Sequence, residues 1–126
     1  MIRQNDVGRW LDIGPVDQIA PGNARTLPVR GGEEIAVFHT LDNQFYALVN
    51  KCPHKQGPLS QGIVHGHVVT CPLHNWNISL KSGKAMGDGE DERGACVPTI
   101  PIREDAGRLY VLREAVVNPR GLEKAA

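Results

Sequence analysis

CPHKQGPLS, residues 52–60, and CPLHNW, residues 71–76, each open on Cys-Pro and carry a histidine shortly after it. The first is Cys52-Pro53-His54, a C-x-H pattern. The second is Cys71-Pro72-Leu73-His74, a C-x-x-H pattern. Sixteen residues lie between His54 and Cys71. That length lets a pair of strands leave the first loop and return beside it, so that two thiolates and two imidazoles converge. Two kinds of centre take such a set. One is a tetrahedral zinc. The other is a two-iron, two-sulfide cluster with two cysteines on one iron and two histidines on the other. Zinc fingers usually pair Cys with Cys and His with His along the chain, whereas here each loop supplies one of each. A third reading needs no metal, with a buried cysteine beside a structural histidine in each loop. Pro53 and Pro72 stiffen the loops, and Gly57 and Gly62 allow close backbone approach or a sharp turn.

The surrounding chain sets the frame. It has 126 residues, one domain's length, with 40% hydrophobic and 22% charged residues. The formal net charge is zero, which argues against nucleic acid or an anionic membrane as the main partner. No apolar run has bilayer-spanning length. The start, MIRQNDVGRW, lacks the apolar segment of a signal peptide, so the expected location is the cytoplasm. Disulfides are rare there, and three cysteines is an odd number.

Fourteen glycines and nine prolines are scattered along the chain, and no long stretch has helical period. RTLPVRG, EEIAVFHT and QFYALVN are short β-favouring runs, broken at Gly31-Gly32 and Asp42-Asn43. In Glu33–Thr40 both alternating faces are apolar, as in a strand buried on both sides. HVVTC leads into the second motif, NISL leaves it, and KSGK is a tight turn. Residues 87–94 form an acidic, glycine-rich loop. VPTIPIRE and RLYVLRE are the last strands, joined at Asp105-Ala106-Gly107, and Pro98 and Pro101 make the former an edge or irregular strand. The domain is expected over 1–113, with a frayed or docking tail over 114–126. Many short strands with frequent turns predict an all-β sandwich or barrel.

The segment CPHKQGPLSQGIVHGHVVTCPLHNW resembles Rieske [2Fe–2S] domains throughout. IAVFHTLDNQFYALVNKCPHKQGPLS, WNISLKSGKAMGDGE and VPTIPIREDAGRLYV are similar to the small subunit of assimilatory NAD(P)H-dependent nitrite reductase. The lysine after His54, Trp76 and the VPT-I-PI segment favour that subunit over Rieske ferredoxins. The resemblance covers about residues 8–113. It implies an all-β Rieske-type domain of three antiparallel sheets with a two-loop cluster-binding tip. It also implies Cys52 and Cys71 as ligands of the inner iron and His54 and His74 as ligands of the outer one. The partner would be a large catalytic subunit carrying flavin, siroheme and [4Fe–4S], which reduces nitrite to ammonium.

Against the respiratory Rieske pattern, Gly57 and Leu73 occupy the places of two bridging cysteines, and Trp76 that of a serine hydrogen-bonded to the cluster. Fewer hydrogen bonds to cluster sulfur disfavour the reduced form, so a potential near the low end of the Rieske range, roughly −150 mV, is expected. Trp76 reads as a shield or core filler. Lys55 is a solvated charge or a mark of the docking face. Cys96 reads as a buried structural thiol, and His65 and His67, at a hairpin, as surface or packing residues. The acidic residues 88–92 read as a solvated loop. Three functions remain open: an electron-transfer subunit of nitrite reductase, a Rieske ferredoxin serving a ring-hydroxylating oxygenase, and a zinc-stabilised interaction module. No nucleophile–base–orienter set supports an autonomous hydrolase.

Overall fold

The computed structural model describes residues 9–53, 57–73, 75–87 and 94–119. Strand β3 (Ile35–His39) explains most of the packing. Its five residues IAVFH are all buried, because it lies between β2 (Ala24–Leu27) and β4 (Phe45–Val49) and is covered on both faces. The doubly apolar pattern of Glu33–Thr40 therefore does mark a strand buried on both sides. β2 stops at Leu27 because Pro28 has no N–H for the ladder. The β3–β4 turn places Asn43 at φ +66, which asparagine tolerates.

Among the described residues, ten strands form three antiparallel sheets. β8 (Thr99–Ile100) completes the sheet in order β2-β3-β4-β8. β5 (Ile63–His65), β6 (Val68–Thr70) and β7 (Asn77–Ser79) make a three-stranded meander. β1 (Trp10–Pro15), β10 (Arg108–Leu112) and β9 (Ile102–Asp105) form the third sheet, in order β1-β10-β9. The all-β expectation and its three antiparallel sheets hold. Phe38, Ile35, Leu48, Leu59, Ile78, Leu80 and Leu109 are the largest fully buried apolar side chains.

Three differences from the sequence reading have physical causes. VPTIPIRE is two short strands, because Pro101 interrupts pairing where the chain changes sheets. β8 and β9 are both edges, where proline is tolerated. β1 was not anticipated. A bulge between Asp12 and Gly14 breaks its alternation. The tail is also not frayed over 114–117. Helix α1 (Arg113–Val117) buries Ala115 and Val116, and Asn118 N–H closes it on the Glu114 carbonyl at 3.0 Å. Among the described residues, no helix is long and apolar enough to cross a membrane.

Candidate metal centre

β4 delivers the first loop and the β6–β7 hairpin delivers the second. Each cysteine closes its loop in the same way. The Cys52 N–H donates to the Gly57 carbonyl at 2.7 Å, and the Cys71 N–H donates to the Trp76 carbonyl at 2.7 Å. Both bonds span five positions, and each expected histidine falls inside its ring. Asn75, at φ +59, turns the second loop.

The loops meet at Gly57 and Leu73. A Cβ on Gly57 would lie 2.7 Å from Leu73 Cδ1, so the Leu73 side chain covers Gly57. These are the two positions expected to stand in for bridging cysteines, and they do face each other. Gly62 works through space and not through turning. Its φ of −80 suits any residue, but a Cβ there would be 2.3 Å from the Thr70 carbonyl oxygen. The strand leaving loop one thereby lies tight against the strand entering loop two.

Cys52 and Cys71 are both buried, at 1% and 0% exposure, with no disulfide between them. Burial pushes the Cys71 thiol up to about 11. The Leu73 N–H, 3.4 Å from Cys71 Sγ, draws it down. The Cys52 sulfur, within hydrogen-bonding reach, pushes it up again. Two such sulfurs can both be thiolates at neutral pH only with a cation between them. The donor chemistry therefore fits an iron centre reached from both loops. His54, His74 and Lys55 lie outside the described residues, as do the acidic residues 88–92. Among the described residues no group of three or more metal-binding side chains gathers.

Trp76 is buried at 8% exposure within the core, as the core-filler reading requires. Cys96 departs from expectation: it is exposed. It lies in an isolated bridge to Lys84, with its neighbour Val97 taking the buried side. His65 Nε2–H donates to Thr70 Oγ1 at 2.6 Å, and that hydroxyl donates to Asn77 Oδ1 at 2.6 Å. His67 does more than pack. Its Nε2–H donates to Asp42 Oδ2 at 2.7 Å, and its Nδ1 accepts from the Tyr46 hydroxyl at 3.2 Å. Asn50 was missed. It is 6% exposed, and a polar residue closing the apolar run FYALVN just before a ligand loop was the available signal.

The sequence profile described as the Rieske [2Fe–2S] domain matches residues 9–101. A ferredoxin component of naphthalene 1,2-dioxygenase/salicylate 5-hydroxylase systems from Ralstonia sp is 32% identical over 77 residues, which is 61% of this chain and 72% of that protein. The ferredoxin subunit of a 3-phenylpropionate/cinnamic acid dioxygenase from Photorhabdus laumondii is 30% identical over 108 residues, 80% of this chain and 91% of that one. Two solved structures, both provisionally described as nitrite reductase small subunits, superpose closely. The first, NADH-dependent and from Mycobacterium tuberculosis, has TM-score 0.71 at 26% identity, covering 82% of this chain and 94% of that chain. The second, described with NADPH, has TM-score 0.70 at 29% identity, covering 82% and 97%.

Proposed function

Because this chain belongs to the Rieske [2Fe–2S] domain family, we propose that it is the electron-transfer small subunit of an NAD(P)H-dependent nitrite reductase. Its cofactor is a [2Fe–2S] cluster, so the zinc-module and metal-free readings fall away. Cys52 and Cys71 hold the inner iron as thiolates, and His54 and His74 hold the outer iron through ring nitrogens. Such a cluster, when bound, supplies a one-electron couple. The chain's own residues keep it dry and fixed. Burial of both sulfurs excludes water, the paired N–H-to-carbonyl closures set the loop shape, and Leu73 covers Gly57 at the junction. The partner is a large catalytic subunit carrying flavin, siroheme and [4Fe–4S]. The place of work is the cytoplasm, beside the NAD(P)H pool.

What supports the nitrite reductase reading is likeness along nearly the full length of two such structures, at 26% and 29% identity. A second reading, a ferredoxin for a ring-hydroxylating oxygenase, has support in the relatives at 32% and 30% identity. Reconstitution separates them. The cluster-loaded chain is added to a purified large nitrite reductase subunit, and nitrite-dependent NAD(P)H oxidation and ammonium are measured. A parallel assay uses a ring-hydroxylating oxygenase with its reductase. Ammonium formation that rises with added chain and is lost with Cys52→Ser supports the first reading. Hydroxylated product in the second assay alone overturns it in favour of the ferredoxin.

A further inference from the structure

The two ligand loops have different necks. The second loop springs from a β-ladder, with Thr70 paired to Asn77 and Thr70 Oγ1 bonded to Asn77 Oδ1. Among the described residues, the first loop has no paired strands at its neck. β4 ends at Val49, and the chain after the loop runs into a 3₁₀ turn, Leu59–Gln61. Outside the Cys52–Gly57 backbone closure, what joins the two ends of the first loop is the side chain of Asn50. Its Oδ1 accepts from the Ser60 N–H at 2.8 Å. Its Nδ2 donates to Glu34 Oε1 at 2.7 Å, and its backbone N–H donates to the Glu34 carbonyl at 2.8 Å. The amide orientation is fixed by its partners, since one can only donate and the other, a carboxylate, accepts.

We infer that Asn50 is a positioning residue for the cluster, replacing with its side chain the ladder that the first loop lacks. The inference rests on the assignment of Cys52 and His54 as ligands. The site demands an amide. Aspartate can accept from Ser60 but cannot donate to Glu34, and it sets a second carboxylate, itself buried at position 50, against that of Glu34. Alanine leaves the Ser60 N–H without its acceptor. Leu59, wholly buried beside this neck, anchors the far end of the loop in the core, so a loosened neck moves the ligand segment relative to the sheet.

The test is the rate at which a chelator bleaches the visible absorbance of the holoprotein at neutral pH, with melting temperature followed in parallel. Asn50→Asp is expected to bleach about tenfold faster than wild type, the scale of one hydrogen bond to a charged group. The double variant Glu34→Gln/Asn50→Asp swaps donor and acceptor, and is expected to return to within about twofold of wild type. A rescued rate is something that general destabilisation would not give. If Asn50→Asp does not fold, Glu34→Ala changes an exposed residue and is expected to bleach several-fold faster. Wild-type bleaching in Asn50→Asp or in Glu34→Ala overturns the inference, as does a double variant as labile as Asn50→Asp. A Cys52→Ser protein that keeps its cluster overturns the ligand assignment, and this inference with it.

Discussion

A methyl group at position 62 would lie 2.3 Å from the Thr70 carbonyl oxygen and 2.9 Å from Val69 Cγ2. The obstructing oxygen belongs to the backbone of the strand that feeds Cys71, so it cannot turn aside. Gly62→Ala is expected to lose about 1–3 kcal/mol in urea unfolding and to assemble less cluster. Gly57→Ala meets only the side chain of Leu73, which is 42% exposed, and is expected to lose about 0.5 kcal/mol. Equal losses in the two variants would show that contact distance is the wrong guide here. Trp76 carries a different prediction. By resemblance it takes the place of the serine that donates to the cluster in respiratory Rieske proteins, and among the described residues the Leu73 N–H lies 3.4 Å from Cys71 Sγ. An EPR-monitored redox titration should give a midpoint near the low end of the Rieske range, roughly −150 mV, and a midpoint well above zero would reverse the argument. The meeting of Cys52 and Cys71 was legible because the two Cys-Pro loops are spaced for a strand pair to bring them together. The exposure of Cys96 was not, because in GACVPT nothing local says which alternate residue faces the core. That depends on the bridge to Lys84, made from a distant turn.

At the scale of elements, the meander that carries loop two is latched to the main sheet through His67. The Tyr46 hydroxyl on β4 and the Asp42 carboxylate in the β3–β4 turn hold its two ring nitrogens. The Thr40 hydroxyl first, and the His67 ring second, hold the Asp42 carboxyl below its ordinary 3.8. A carboxylate with a lowered folded-state pKa stabilises the protein above its unfolded value and loses that contribution as pH falls through the folded value. Wild type should therefore lose more stability than Asp42→Asn between about pH 5 and pH 2.5, measured by urea unfolding at each pH. Parallel curves for the two proteins would mean that the latch is not coupled to folding. Elements were readable where one local pattern decides them. β3 announced itself by apolar residues on both faces, and the β5–β6 hairpin by Gly66, which sits at φ +56. β1 was hidden by its bulge, and α1, five residues long, is too short to display a period.

At the scale of the whole molecule, the sheet ladders and the ligand tip divide the work. Phe38, Leu48 and Leu109 are fully buried on strands whose ladders include neither ligand loop, while the tip, whose Cys52, Cys71 and Trp76 reach into the same core, joins a loop from the main sheet to a loop from the meander. The three-sheet plan came from the family resemblance, since the pairing of β1 with β10 joins the two ends of the chain and leaves no local trace in sequence. The ligand loops were legible without it. This division predicts how the protein responds to loss of iron. A cluster bound to the folded state alone stabilises it by mass action, and one held by Cys52 and Cys71 as proposed would staple two sheets. Its removal leaves Cys71 a neutral thiol at neutral pH, because burial holds it near 11. Chelator-treated protein should therefore keep its β-sheet circular dichroism while its melting temperature falls by roughly 10 °C. The Cys52→Ser/Cys71→Ser variant should melt at that same lowered temperature whether or not chelator is added. A treated protein that unfolds outright would mean that the core depends on the tip. An unchanged melting temperature would mean that the two loops are held by their own hydrogen bonds and that the cluster is carried without stapling the sheets.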